Sequence, residues 1–213
     1  MDFTNQIIDI ILNLDIYLGY VISLFGSLTY LILFLVVFCE TGIIIVSFLP
    51  GDSLLFIIGA LSAGGALNLI VSIIILSLAA ILGDTVNYQI GKYIGPKIFN
   101  KEGSKLFNKN HLIEAHDFYE EYGGKTIILA RFIPIIRAFA PPFVAGIGLM
   151  PYKKFLSYNI IGGVAWVLIF TLIGYFFGNL LIVKDNFSLL VIAIVVISGL
   201  PIVIQLIMKK IKG

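Results

Sequence analysis

Cysteine, arginine and charge in general are scarce in this chain. Cys39 is the single cysteine among 213 residues, which excludes an internal disulfide and a cysteine metal cluster. Only 12% of the residues are charged and 60% are hydrophobic, whereas about a quarter of a soluble domain is charged. The net charge of +2 is too small to indicate a nucleic-acid partner. The composition predicts one integral membrane domain, 1–213.

The N-terminus lacks the basic residues that begin a secretory signal peptide. Residues 1–23 contain three aspartates and no lysine or arginine, so a positively charged n-region is missing. Apolar residues recur there at roughly helical spacing, with acids and amides mostly between them. We expect either an amphipathic helix at the membrane interface or an ordinary lead-in to the first span.

Long apolar runs alternate with runs that proline and glycine interrupt. Four are long enough to cross a bilayer: 24–47, 69–91, 155–178 and 187–208. Two shorter or broken runs are expected to be re-entrant hairpins that enter the membrane and return: 54–68, which completes a unit 24–68 with the preceding span, and 126–152. The predicted fold class is therefore an all-α, polytopic membrane protein with two opposed re-entrant helical hairpins.

The one long polar segment, 92–125, indicates the orientation of the chain. Lysines dominate its first half, and lysines also occur at 153–154 and in the C-terminal tail, so these parts are predicted to be cytoplasmic. His111 and His116 lie within it among lysines and acids, a setting more typical of a surface helix than of a metal site. We predict no metal and no cofactor.

The two halves of the chain are faintly similar. At an offset of 91 residues Glu40 aligns with Arg131, and Pro50 aligns with Pro141. Two hairpins that enter from opposite faces are what an inverted-repeat transporter needs, with its site between the repeats. The pattern indicates a pseudo inverted repeat, with chance similarity between apolar segments as the alternative.

Charges of opposite sign are segregated along the apolar part of the chain. Between Asp15 and Lys92 all charges are acidic: Glu40, Asp52 and Asp84. Between Lys125 and Lys153 the only charges are the chain's two arginines, Arg131 and Arg137. Because unpaired ions are very costly at bilayer depth, we expect the two sets to meet across the fold.

Two interpretations of that meeting stay open. Internal salt bridges that fix the hairpins explain the charges without any ligand. Alternatively, Arg131 and Arg137 bind a phosphate through paired N–H contacts, while Glu40 and Asp52 exchange protons and compete for the arginines.

Other residues have supporting parts in this prediction. Asp84 is either a helix-to-helix hydrogen-bonding residue or part of the site, and Tyr88, Asn159 and Trp166 are expected to pack or to line a polar interface. The residues expected to shape the hairpin backbone are Pro50, Gly51, Pro134, Pro141, Pro142 and Gly146.

Three blocks of residues, taken in order, resemble the DedA family, whose core is also known as the VTT or SNARE-associated domain. The first block is Glu40, Pro50, Gly51 and Asp52, and the second is Gly83, Asp84, Tyr88, Gly91, Lys92 and Gly95. The third contains Arg131, Phe132, Pro134, Arg137, Pro141, Ala145, Gly146, Met150, Phe155, Asn159, Gly162 and Trp166. The first hairpin has Leu49 where relatives often carry an additional proline.

The resemblance implies a bacterial plasma-membrane protein with opposed re-entrant hairpins. Bacterial relatives are linked to recycling of undecaprenyl phosphate and to a proton-motive-force requirement, and eukaryotic relatives act as phospholipid scramblases. By motif position, the acidic pair of the family corresponds to Glu40 and Asp52, and its arginine pair to Arg131 and Arg137.

We therefore predict a transporter that moves a lipid phosphate with proton coupling. The alternatives are a proton-coupled transporter of small ions or cations, a general phospholipid scramblase, and a structural or chaperone-like role. A membrane phosphatase is disfavoured because no histidine accompanies the arginines. The partners expected are the lipid substrate, protons and the bilayer, while the sequence leaves the oligomeric state open.

Overall fold

The computed structural model describes residues 14–43, 51–99, 124–132, 150–178 and 180, and the regular elements within these ranges are all helical. A 3-10 turn, Gly26–Leu28, joins the first two α-helices. In chain order the α-helices are α1 Leu14–Phe25, α2 Thr29–Gly42, α3 Gly51–Ala63, α4 Leu69–Phe99, α5 Lys125–Ala130 and α6 Tyr152–Phe177. The predicted all-α class is confirmed for the described residues.

Within the described ranges, three stretches are long and apolar enough to cross a membrane. They contain 27, 25 and 26 residues and are Ile16–Gly42, Leu69–Tyr93 and Tyr152–Phe177. With a rise of 1.5 Å per residue, even the shortest is about 37 Å long, which exceeds the ~30 Å hydrocarbon core of a bilayer. The chain is a multi-pass membrane protein, as its composition predicts.

The first of these stretches contains a turn that depends on glycine. Gly26 has a φ of 52°, in the left-handed region that side chains with a Cβ disfavour. The stretch begins at Ile16, and α1 includes part of the predicted lead-in 1–23. Two of its apolar side chains, Tyr20 and Leu24, are exposed, as expected for a helix that contacts lipid.

Helix α3 has 13 residues and is about 20 Å long, too short to cross the membrane comfortably. Its first nine residues, 51–59, are all buried, which is typical of a helix enclosed by other elements. A turn with Gly65 at a φ of 79° follows, and Asn68 then caps α4 by accepting a hydrogen bond from the Val71 N–H at 3.1 Å. The re-entrant course of 54–68 stays a prediction.

Helix α4 has one face for lipid and one for protein. Six of its exposed apolar side chains recur every fourth residue: Ile70, Ile74, Leu78, Leu82, Val86 and Ile90. Its buried polar side chains include Ser72, Ser77, Asp84 and Asn87. Polar groups inside a span normally face the protein interior, so this division identifies the face that bears the site.

Helix α4 extends one predicted segment, and two other predicted segments lie wholly or mostly outside the described residues. Helix α4 continues to Phe99, past the predicted span 69–91 and into the predicted polar segment 92–125. The span predicted at 187–208, and the hairpin predicted at 126–152 apart from its two ends, lie outside the described residues. The pseudo repeat is a prediction for the same reason.

The described residues divide into two compact units. The first contains 14–35, 51–76, 167–178 and 180, and the second contains 36–43, 77–99, 124–132 and 150–166. Within the first unit α3 packs closely on the C-terminal part of α6, because a methyl group at Gly59 would overlap the Thr171 carbonyl oxygen. In the same way, a methyl group at Gly174 would overlap the carbonyl of Phe56. Small residues permit such close helix contacts in membranes.

In the second unit, α2 and α4 also meet through glycine. A Cβ at Gly42 would lie 3.2 Å from both the Cα and the carbonyl oxygen of Gly83. The Asn87 side-chain amide donates a hydrogen bond to the Thr41 carbonyl at 3.2 Å. These contacts hold the end of α2, which carries Glu40, against the polar face of α4.

Candidate functional site

Four charged side chains are buried among the described residues. Their exposed fractions are 1% for Glu40, 6% for Asp52, 1% for Asp84 and 2% for Arg131. Ionised groups are almost never buried unless they are paired. Three of the four, Glu40, Asp84 and Arg131, belong to the second unit, and Asp52 belongs to the first.

Arg131 immediately follows α5 and points into the second unit. One of its terminal nitrogens, Nη2, donates to Asp84 Oδ2 at 2.5 Å. The same nitrogen donates to Asn159 Oδ1. The guanidinium is thus held by an anion on α4 and by a neutral amide on α6.

Asn159 is itself oriented by α4. Its side-chain nitrogen donates to the Ile81 carbonyl at 3.0 Å and to Thr85 Oγ1 at 3.4 Å. Thr85 Oγ1 in turn donates to the Ile81 carbonyl at 2.7 Å. Because both amide protons are directed at α4, the carbonyl oxygen of Asn159 is directed at Arg131.

Two consecutive glycines on α6 let the arginine side chain lie against that helix. A Cβ at Gly162 would lie 3.1 Å from Arg131 Cδ, and a Cβ at Gly163 would lie 3.2 Å from Arg131 Nη1. A larger residue at either position would have to displace the side chain. The Arg131 side chain therefore packs on the glycine pair, and this contact does not involve Asp84.

The Asp84–Arg131 pair has no net formal charge. A buried pair of this kind adds little stability over apolar side chains of similar size, whereas removal of one partner costs about 3–5 kcal/mol. An arginine cannot lose its proton to escape burial. The second unit thus keeps a permanent cation fixed against two helices that are long enough to span a membrane.

Tyr88, one turn after Asp84 on α4, fixes the start of α6. Its hydroxyl donates to the Met150 carbonyl at 2.8 Å. Its ring stacks on Phe155 with centroids 4.5 Å apart, and Tyr152 lies at 5.6 Å. Trp166 is fully buried on α6. Tyr88 therefore helps to place α6, and with it Asn159, next to α4.

Asp52 and Ser53 lie in the first turn of α3, within the first unit, and both are buried. The Ser53 hydroxyl is fully buried and has no hydrogen-bond partner among the described groups. The N-terminus of a helix favours negative charge and offers backbone N–H groups. This turn is a second polar position within an apolar part of the chain.

Most of the residues predicted to shape the hairpins, and also Arg137, lie outside the described residues. Gly51 is the first residue of α3. The remaining candidates lie outside the described residues: Arg137, Pro50, Pro134, Pro141, Pro142 and Gly146. No group of three or more histidine, cysteine, aspartate or glutamate side chains suited to a metal occurs within the described ranges.

Sequence reasoning missed Ser53, Thr85 and Gly163. A signal for the polar face of α4 was present, since Asp84, Asn87 and Tyr88 follow the helical spacing i, i+3, i+4 within an apolar run. No such signal exists for Gly163, because its role depends on the approach of Arg131 from another element.

These features define a membrane protein with charged side chains buried among helices that are long and apolar enough to span a membrane. The family model of the VTT domain matches residues 49–176. The chain is 50% identical to Protein DedA of Escherichia coli over 212 residues, which cover 99% of this chain and 96% of that protein. The chain belongs to the DedA family of VTT-domain membrane proteins.

Two further relatives extend the comparison. An uncharacterized membrane protein of Mycobacterium tuberculosis, Rv0364, is 45% identical over 185 residues, or 86% of this chain and 81% of its own length. The inner membrane protein YqjA of Escherichia coli is 34% identical over 157 residues, or 74% of this chain and 70% of its own length. No solved structure matches the chain significantly.

Proposed function

We propose that this protein is a transporter that moves a lipid phosphate, undecaprenyl phosphate, across a bacterial plasma membrane with proton coupling. The phosphate head group passes through the protein while the lipid chain stays in the bilayer. The protein acts as a transporter and not as an enzyme, and its C-terminus is cytoplasmic.

The observation that carries this proposal is the buried guanidinium of Arg131. It is 2% exposed and donates to Asp84 and Asn159, which lie on two helices long enough to span a membrane. Buried charges in spans mark substrate pathways and proton relays. A guanidinium offers planar, paired N–H donors that match phosphate oxygens, and Arg137 supplies the second cation in this proposal.

Proton coupling is assigned to Glu40 and Asp52. Both carboxyl groups are buried, and a buried carboxyl group exchanges a proton when its surroundings change between wet and dry. Asp52 opens α3 next to the buried Ser53 hydroxyl, so a head group near this turn would meet a hydrogen-bond donor. In this proposal protonation of the acids accompanies phosphate entry, since it offsets the added negative charge.

Transport into liposomes tests the proposal. We expect purified protein to move undecaprenyl phosphate inward, faster with a pH gradient, and Arg131→Ala and Arg137→Ala each to reduce the rate at least tenfold. The matched control is Lys153→Ala, which removes an exposed cation and should leave the rate unchanged. Full transport by folded arginine variants would refute the phosphate-binding role.

Movement of small cations is the second candidate. Within the second unit two buried carboxyl groups, Glu40 and Asp84, accompany one buried guanidinium, an excess of negative charge that favours a cation. In that case Glu40→Gln abolishes cation flux while Arg131→Ala preserves it. A general phospholipid scramblase is the third candidate, and it would move phosphatidylcholine as fast as undecaprenyl phosphate and without a pH gradient.

A further inference from the structure

Arg131 is supported by Asp84, by Asn159 and by a pair of glycines, and of these three supports only Asp84 carries charge. Asp84 accepts a hydrogen bond from Nη2 at 2.5 Å, Asn159 accepts from the same nitrogen, and Gly162 and Gly163 lie along the side chain. The amide and the glycines would still hold the guanidinium if Asp84 turned away. The arginine is thus positioned independently of its anion.

The hydrogen bond from Arg131 to Asn159 can also persist when a ligand arrives. Its nitrogen is bonded to the Ile81 carbonyl and to Thr85 Oγ1, so its carbonyl oxygen has a fixed direction. Being neutral, it does not repel an incoming anion. A second carboxylate at this position would do so, because like charges in low dielectric are mutually unfavourable.

Asp84 and a substrate phosphate are competitors for the same cation. Both are anions, and a phosphate that enters beside the intact ion pair would place two negative groups around one guanidinium. That arrangement is costly in a buried site. An exchange has lower energy: Asp84 gives up its hydrogen bond from the Arg131 guanidinium, and the phosphate oxygens accept from the guanidinium N–H groups instead.

We propose that Asp84 is the resident counter-anion that the substrate phosphate displaces from Arg131, and that Asn159 is the positioning residue that holds the guanidinium during this exchange. The inference rests on the proposed function, since it assumes that a phosphate reaches Arg131. It assigns the competing role at Arg131 to Asp84, which is bonded to it, and leaves proton exchange to Glu40 and Asp52.

The test exchanges the anion and the amide. In detergent micelles, the affinity of the full chain for undecaprenyl phosphate is measured by native mass spectrometry for Asp84→Asn, Asn159→Asp and the double variant. Asp84→Asn removes the competitor, so binding tightens about tenfold while turnover in liposomes falls, because release now lacks its anion. Asn159→Asp adds a competitor and weakens binding about tenfold. These changes match one charge-assisted hydrogen bond.

The double variant separates competition from simple damage to the fold. It again gives Arg131 one carboxylate and one amide, so its affinity should return to within about threefold of the wild type. The control Asn68→Asp adds a carboxyl group at the exposed cap of α4, and it should leave the affinity unchanged. Weaker binding in Asp84→Asn, or a double variant worse than both single ones, would overturn the exchange.

Failure of the proposed function has a different signature. If the wild type binds phosphatidic acid but not undecaprenyl phosphate, and the variants keep the predicted order, the exchange stands and the assigned substrate falls. If the wild type binds neither phosphate lipid, both proposals are refuted. Recovery of thermal stability in the double variant without lipid would then show only that Arg131 accepts either arrangement of its partners.

Discussion

Removal of Asp84 should destabilise the protein more than removal of Asp84 and Arg131 together. The guanidinium is 2% exposed in the wild type, and in Asp84→Ala we expect it to keep the neutral Asn159 as an acceptor. Loss of one partner of a buried ion pair costs about 3–5 kcal/mol. We expect Asp84→Ala to lie in this range because an arginine cannot shed its charge.

The double variant Asp84→Ala, Arg131→Met removes the charge as well. A methionine fills much of the space of the arginine stem next to Gly162. The double variant is still destabilised because the Asn159 carbonyl oxygen loses its hydrogen-bond donor. An unsatisfied buried acceptor costs about 1–3 kcal/mol. The double variant should therefore recover roughly 2 kcal/mol relative to Asp84→Ala.

The measurement is unfolding of each variant by sodium dodecyl sulfate in mixed micelles, followed by circular dichroism, as a double-mutant cycle. Arg131→Met alone completes the cycle and leaves the Asp84 carboxylate without the guanidinium. If the cost of the double variant equals the sum of the single costs, the two side chains do not interact. That outcome would refute both the pairing and the exchange built on it.

Two further variants test the supports around this pair. Tyr88→Phe removes the hydrogen bond to the Met150 carbonyl but keeps the stacked ring. It should lower the free energy of unfolding by about 1 kcal/mol in the same assay. An unchanged unfolding midpoint would contradict that hydrogen bond. Gly59→Ala should cost about 1–3 kcal/mol, since its methyl group overlaps the Thr171 carbonyl. The matched control is Gly64→Ala, whose methyl group makes only an ordinary contact of 3.6 Å. Equal stability of these two alanine variants would contradict the close helix contact.

The sequence predicts the membrane class and the helical architecture well, because both follow from long apolar runs. It also predicts that Arg131 needs an anionic partner, since a buried guanidinium cannot be neutralised. It does not identify that partner. Glu40, Asp52 and Asp84 carry the same charge, and the contact with Asp84 depends on how the end of α5 approaches α4 in the folded chain.

The role of Asn159 was beyond sequence reasoning for a related cause. An asparagine within an apolar run indicates a buried hydrogen bond, but the direction of its amide is decided by α4, through the Ile81 carbonyl and Thr85. Gly163 is harder still, because a helical glycine in a span has many uses. Here its use is to let another side chain lie against the helix.

Trp166 gives the protein a built-in optical probe. It is the only tryptophan in the chain, it is fully buried, and it lies two helical turns after Asn159 on α6. Tryptophan emission from the whole molecule therefore comes from one position in the second unit, and no competing indole has to be removed. Time-resolved emission can then follow ligand entry or helix movement in the unaltered protein, without the label that most membrane transporters need.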